Sequence, residues 1–571
     1  MHDQNRFRKI LKKLNPFVEV WIPFFLVAVI FVLGLLDMVA LPVAEASFRV
    51  ILGSYLIWVI VYLVRNRSKW REPIAIVASG LFLFFFLKGA YLEYPSDAWE
   101  YFRLITEWQS RTSFSDMHVT LFYGAHLINP PRFSYLFFWS QLQMFPRESW
   151  RTVLDLISAG TLVLVFVQIY ELAKVFQSSV RKAVWMAIFG FIFTGVFNLN
   201  YFYSLALSTN ILSFIFFYRI LTTMTRFIKD RNSSELWILI PILPLMFFTH
   251  LQGLLWVLVA LISFVFYLQE VDQDQRRRRH YVWTIWGILL LSSLPIIYLH
   301  GEDFLKHYYS ETEVFFDTLG RPGVIFLILG FFFRKRIRLM WALSFVPVLF
   351  LTLPVLVYPL FRYILTDQSN GHRLLYLLPT GFLIYQIIDL SLAGRFKYLK
   401  ENIVILLVLV SLSIDARRPW FGRLPHLIMP IPNELSLKSY DPVVFWLEKN
   451  RPDVKFHCRY ATDQVTDFLL TTYFGWHPIN ARISRWDLWL EDQFKMAPFS
   501  HQICGLILRD ASKSHLVPES QVNQELHHWI PEVVSPDLML TDQMKSIASE
   551  LTSEGWQKTL LPADYVLIER P

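Results

Sequence analysis

The chain has 571 residues, of which 54% are hydrophobic and 17% aromatic, and it carries a net charge of +8. That apolar content exceeds an average soluble domain's, so the sequence alone points to an integral membrane protein. Its basic residues sit in short loops between apolar windows, with no separate basic domain of interleaved aromatics, which excludes a nucleic-acid-binding role.

The apolar residues recur in windows of about 20, the length a helix needs to cross about 30 Å of hydrocarbon. Runs such as "FFLVAVIFVLGLL" and "NIVILLVLVSLSI" do not alternate, so they predict helices rather than barrel strands. The first window starts near Phe17 behind Arg6, Arg8, Lys9, Lys12 and Lys13, and reads as a retained anchor. The windows span 17–37, 47–64, 73–91, 152–171, 183–201, 204–221, 235–249, 251–269, 282–299, 322–333, 339–360, 373–391 and 402–415. With the N-terminus inside, the inner loops are "RNRSKWRE", "KVFQSSVRK", "RFIKDRN", "QEVDQDQRRRRH", "FRKRIR" and "GRFKYLK", each with at least three Lys or Arg. This is the charge pattern that fixes orientation. The expected fold class is mainly α: a polytopic transmembrane helix bundle of about 13 helices, N-terminus inside.

The outer segments are 37–47, the long loop 92–151, short links near Asn200 and His250, 300–321, 361–372 and everything after Asp415. The loop opens with "LEYPSDAWEYFRLITEW". There Asp97 and Glu100 fit a capping box, and Ala98, Tyr101, Phe102, Ile105 and Trp108 form one apolar helical face. A short interfacial helix is expected, for which Asp97 is either a plain cap or a reactive acid. On the same side lies "GAHLINPPRFSYLFFW", where Asn129, Pro130, Pro131 and Arg132 fix the chain before an aromatic segment.

The tail starts with a Pro-rich linker and then alternates strand-like runs, "VKFHCRY", "GLILRD" and "DYVLIER", with helix-like segments. The division is therefore an N-terminal helix pair, 1–72, a core, 73–415, holding the outer loop 92–151, and a C-terminal extracytoplasmic α/β domain, 416–571. Cys458 and Cys504 both lie in this last part, either paired or as separate thiols. The acids Glu302, Asp303, Glu311, Glu313 and Asp317 read as a solvated face rather than a metal cage.

"YPSDAWEYF" and "NPPRFSYLFF", together with "FFTHLQGLLW" and "GHRLLYLLPTGFLIY", resemble segments of the GT-C superfamily of polytopic glycosyltransferases, in its protein mannosyltransferase and aminoarabinose transferase-like branch. The resemblance covers roughly 73–391 in organisation. It implies an inverting glycosyltransferase of the cell inner (cytoplasmic) membrane, working at the outer face on a polyprenyl-phosphate sugar donor and a lipid, glycan or protein acceptor, among membrane lipids. On that resemblance Asp97 and Glu93 are the catalytic carboxylates, and Arg362, His372 and Arg373 bind the donor phosphate. Glu100, His126, Arg132, His250 and Tyr376 contact substrate. The chain departs from the family pattern in three ways: the helix before the acidic loop is third rather than first, Asp97 has no adjacent acid, and Asn129 stands where His or Lys usually precedes Pro-Pro. Metal use stays open: no metal ligand and no certain cofactor is assigned, and a divalent cation is left as an alternative.

These residue types suit the reaction, because an acceptor's proton needs a base and a departing lipid phosphate needs positive charge. The competing reading is a secondary transporter or lipid-linked sugar flippase. Such proteins place ionisable and broken-helix features near the bilayer midplane, whereas here most ionisable residues lie at window ends. No HExxH, paired CxxC, Walker loop or dinucleotide glycine fingerprint occurs.

Overall fold

The structure is a computed structural model that describes residues 16–65, 105, 119–122, 125–128, 133–146, 150–193, 210–230, 233–249, 252–271, 323–351, 379–392, 398–415, 446–447, 449–450, 459–462, 503–509, 549, 552–562 and 565–569. In chain order these form α1 (Pro16–Leu35), α2 (Leu41–Arg65), β1 (Val119–Phe122), β2 (Ala125–Ile128), α3 (Phe133–Leu142), α4 (Trp150–Phe176), α5 (Val180–Phe193) and α6 (Asn210–Asp230). A short 3-10 helix, Ser233–Ile238, leads into α7 (Leu239–Thr249), and α8 (Gln252–Val271) comes next. Residues 323–333 form α9. Then come α10 (Arg338–Leu351), α11 (Thr380–Leu392), α12 (Tyr398–Asp415), β3 (Arg459–Thr462), β4 (Ile503–Arg509), β5 (Gln557–Leu560) and β6 (Tyr565–Glu569). The chain divides into two compact units, one of Met1–Ala28, Ser54–Tyr91 and Ser158–Ile428, the other of Val29–Gly53, Leu92–Ile157 and Met429–Pro571.

Among the described residues, no helix is long and apolar enough to cross a membrane. This corrects the polytopic transmembrane bundle expected from the apolar windows; the architecture is mainly helical. Within the windows 183–201, 235–249, 339–360 and 373–391 the described helices are α5, α7, α10 and α11, of 14, 11, 14 and 13 residues. At 1.5 Å per residue these are about 16 to 21 Å long, short of the hydrocarbon thickness. Charge is one physical reason. Longer helices carry ionisable side chains inside the apolar sequence: Glu45 and Arg49 on α2, Glu171 and Lys174 on α4, and Arg219, Arg226 and Lys229 on α6. A window average does not register their partners.

Much of the aromatic content is used between helices of the first unit. Phe214 on α6 stacks on Trp256 of α8 at 5.3 Å, and Phe166 of α4 meets Phe191 of α5 edge-on at 5.8 Å. Trp341 of α10 stacks on Phe345 at 4.5 Å and also faces Phe266 of α8. Helices α5 and α11 come close together. A Cβ added at Gly381 would collide with the carbonyl oxygen of Phe189, and one at Gly190 with the ring of Phe382. At Gly381 a hydrogen in place of a side chain lets the two backbones come this near.

In the second unit, the turn after α1 holds Asp37 at a left-handed φ of 55°. Its amide donates to the Gly34 carbonyl at 2.9 Å, and the Met38 amide donates to the Leu33 carbonyl at 2.9 Å. This is the Schellman closure, which satisfies two orphan carbonyls at the helix end. Strands β1 and β2 pair antiparallel, Phe122 opposite Ala125. The tail runs "GLILRD" and "DYVLIER" form β4 and β6 within a mixed sheet of order β3-β4-β6-β5. Strand β4 pairs parallel with β3 and antiparallel with β6, placing buried Ile507 opposite buried Leu567. Edge strand β5 shows its polar side chains, Gln557 and Lys558, to solvent, as an unpaired edge requires.

Candidate functional site

Of the residues singled out from the sequence, Glu93, Asp97, Glu100, Arg132, His250, Arg362, His372, Arg373 and Tyr376 lie outside the described residues. His126 is in β2, its backbone opposite Leu121 of β1. Cys458 lies outside the described residues and Cys504 falls within β4.

The structure does build a polar site that the sequence patterns do not mark, where α2 meets α3. Residues of α2 at 45 and 49 are one turn apart and face the same way. Glu45 is only 8% exposed. Its Oε1 accepts from the Trp139 indole Nε1 at 3.0 Å, and its Oε2 accepts from Gln143 Nε2 at 3.0 Å. The Arg49 guanidinium donates to the Gln143 Oε1, so the glutamine amide bridges the acid and the base. Phe133, fully buried at the start of α3, meets Phe31 of α1 edge-on at 5.6 Å and Phe48 of α2 at 6.2 Å. The carboxylate thus sits beside an aromatic cluster.

Burial pushes the Glu45 carboxyl above the usual range, against the lowering effects of the Gln143 and Trp139 hydrogen bonds and of Arg49. Desolvation wins because two neutral donors do not replace the hydration of a carboxylate. The result is a carboxyl of raised proton affinity with both oxygens engaged. It clamps α2 to α3, and taking up a proton removes an acceptor from one of its two donors.

Glu45 was legible only in part: an acid one turn before an arginine in "PVAEASFRV" is a visible pair, but the donors lie 94 and 98 residues away. Helix α3 begins directly after "NPPR", so the Pro-Pro segment leads straight into the helix that supplies the Trp139 donor, with Gln143 just beyond its end.

In the first unit the charged side chains pair across helix ends. Lys182 of α5 reaches Asp389 of α11 at 2.6 Å, and Arg181 reaches Glu401 of α12 at 3.0 Å. Trp185 donates to the Asn402 side-chain oxygen at 3.0 Å. Arg226 of α6 meets Glu171 of α4 at 2.9 Å, while Lys229 donates to the Val175 carbonyl at 2.6 Å. Lys182, Arg181 and Arg226 each already face a carboxylate, an arrangement that fastens helices rather than one that receives a phosphate. Among the described residues, no group of three or more His, Cys, Asp or Glu side chains is placed to hold a metal ion.

No family model matches this chain, and no curated protein matches it.

Proposed function

We propose that the chain is an inverting glycosyltransferase that takes a sugar from a polyprenyl-phosphate donor at the outer face of the cytoplasmic membrane and passes it to a lipid, glycan or protein acceptor. The observation that carries this reading is in the sequence: the acidic "YPSDAWEYF" and the Pro-Pro segment "NPPRFSYLFF", both resembling GT-C segments. Support from the fold is local. The second motif runs directly into α3, a helix buried along most of its length and held to α2 by the Glu45 clamp. A segment that must present reactive groups reproducibly needs such a rigid base.

In this reaction the acceptor oxygen attacks the sugar C1, the bond from C1 to the phosphate oxygen breaks, and the electron pair leaves on the polyprenyl phosphate. Asp97, with Glu93 four residues before it, takes the acceptor proton. Arg362, His372 and Arg373 offset the charge on the leaving phosphate, which is where electrostatic stabilisation acts. Glu100, His126, Arg132, His250 and Tyr376 orient sugar and acceptor.

The experiment is sugar release from a labelled polyprenyl phosphate by the purified chain, comparing wild type with Asp97→Asn. Loss of a general base lowers turnover about 100- to 10,000-fold. Undiminished turnover in the variant removes Asp97 from the role. Flux of the lipid-linked sugar across sealed vesicles without bond cleavage replaces the enzyme reading with the flippase one.

A further inference from the structure

We infer that α9 and the basic turn after it form a docking surface for a phospholipid bilayer with anionic headgroups. The helix buries one narrow edge, Gly323, Leu327 and Gly330, in the first unit. Gly330 sits so close to its neighbours that an added Cβ would come 2.8 Å from Trp341 of α10 and 3.3 Å from Leu383 of α11. The helix is therefore pinned by its small face.

Its opposite face is apolar and open. Ile325 is 52% exposed, Ile328 58% and Phe332 75%, with Leu329 and Phe331 also exposed. On a monomer in water such a contiguous set marks an interaction surface.

The turn at the end of α9 identifies the occupant. The chain passes through Arg334, Lys335 and Arg336 to Arg338, and Lys335 and Arg336 are exposed. Arg334 lies over the Phe331 ring at 4.3 Å, joining the basic turn to the apolar face. From 323 to 351 there is no acidic residue. One cation at a helix C-terminus is explained by the helix dipole; four within five positions beside bare aliphatic and aromatic side chains are not. Apolar side chains that enter the acyl boundary, next to cations at headgroup level, match an anionic lipid surface. Among the described residues no helix is long and apolar enough to cross a membrane, so α9 is assigned to the surface of the bilayer.

The inference does not rest on the glycosyl-transfer reading, since its test measures no sugar. The full chain is mixed with vesicles of phosphatidylcholine alone or of phosphatidylcholine with phosphatidylglycerol, and the bound fraction is measured by sedimentation. Wild type binds the phosphatidylglycerol vesicles more tightly, and added salt weakens that preference. The double variant Lys335→Gln, Arg336→Gln loses about 30-fold in affinity for phosphatidylglycerol vesicles, at the usual worth of a basic residue near such a surface. Phe332→Ser loses about tenfold on both vesicle types. All three positions are exposed, so unchanged thermal unfolding accompanies each loss. The inference is overturned if the double variant binds phosphatidylglycerol vesicles as wild type does. It is equally overturned if Phe332→Ser leaves vesicle binding intact, or abolishes instead a dimer of the wild type seen by sedimentation, which would make a second copy the occupant.

Discussion

The indole of Trp139 donates to the carboxylate of Glu45 across 94 residues of sequence, at 3.0 Å and in a buried setting. With Gln143 on the other oxygen, this bond decides how α2 and α3 are registered against each other. The protonation state of Glu45 therefore bears on stability. Its carboxyl is raised by burial, so the folded chain binds that proton more tightly than the unfolded one. This contribution is accordingly fully present below the unfolded value, about 4.3, and is lost as pH rises through the raised folded value. Thermal unfolding measured as a function of pH should show Tm falling over that interval in wild type, and Glu45→Gln should lack that part of the slope. A variant with an unaltered slope removes Glu45 as its source.

Trp139→Phe keeps the ring against its neighbours and deletes only the donor. Glu45 then loses one of the two bonds that favour its ionised form, so its proton affinity rises further and the pH-dependent fall in Tm shifts upward. The expected loss in denaturant unfolding at neutral pH is about 1 to 3 kcal/mol, the cost of leaving a buried charged acceptor short of a partner. An unchanged midpoint would mean that solvent replaces the indole, against the burial of Glu45.

Gly381→Ala tests the α5–α11 contact. The obstacle to a new methyl group is the Phe189 carbonyl oxygen with its carbonyl carbon, part of a helix backbone and not the free end of a side chain. Helix propensity alone favours alanine by about 1 kcal/mol. Overpacking against a backbone outweighs it, with a net loss of about 1 to 3 kcal/mol in chemical denaturation. Stabilisation would show that α11 can shift away from α5, and with it the neighbouring Lys182–Asp389 pair.

These sites show where the sequence was readable and where it was not. Strands β4 and β6 could be seen in "GLILRD" and "DYVLIER" because β-branched and aliphatic runs between polar breaks declare themselves locally. The helical character of the apolar windows was visible for the same reason. Membrane crossing was not, because hydropathy does not report where a helix ends or whether its apolar side chains face a partner. Within the window 183–201, Phe189 and Phe191 are turned into packing with α11 and α4. The Glu45 clamp escaped for a different reason. An acid in an apolar stretch is visible, but its meaning depends on Trp139 and Gln143, which no local pattern ties to it. The acid and Pro-Pro motifs carried the functional reading, and the candidate residues there lie outside the described part of the chain, apart from His126 in β2.

Asp37 offers a test of local backbone chemistry independent of any tertiary contact. It occupies the left-handed position that closes α1, at φ 55°, and its side chain is exposed. Glycine takes that conformation without a Cβ clash, aspartate tolerates it, and a β-branched residue resists it. Asp37→Gly should therefore raise stability by up to about 1 kcal/mol, while Asp37→Val should lower it by about 1 to 3 kcal/mol. Both keep the two amide-to-carbonyl bonds from Asp37 to Gly34 and from Met38 to Leu33, because the backbone alone makes them. Denaturant midpoints in the order glycine above aspartate above valine are the outcome this geometry requires. A valine variant as stable as wild type would mean that the turn is reached with negative φ, and the closure of α1 would need another account.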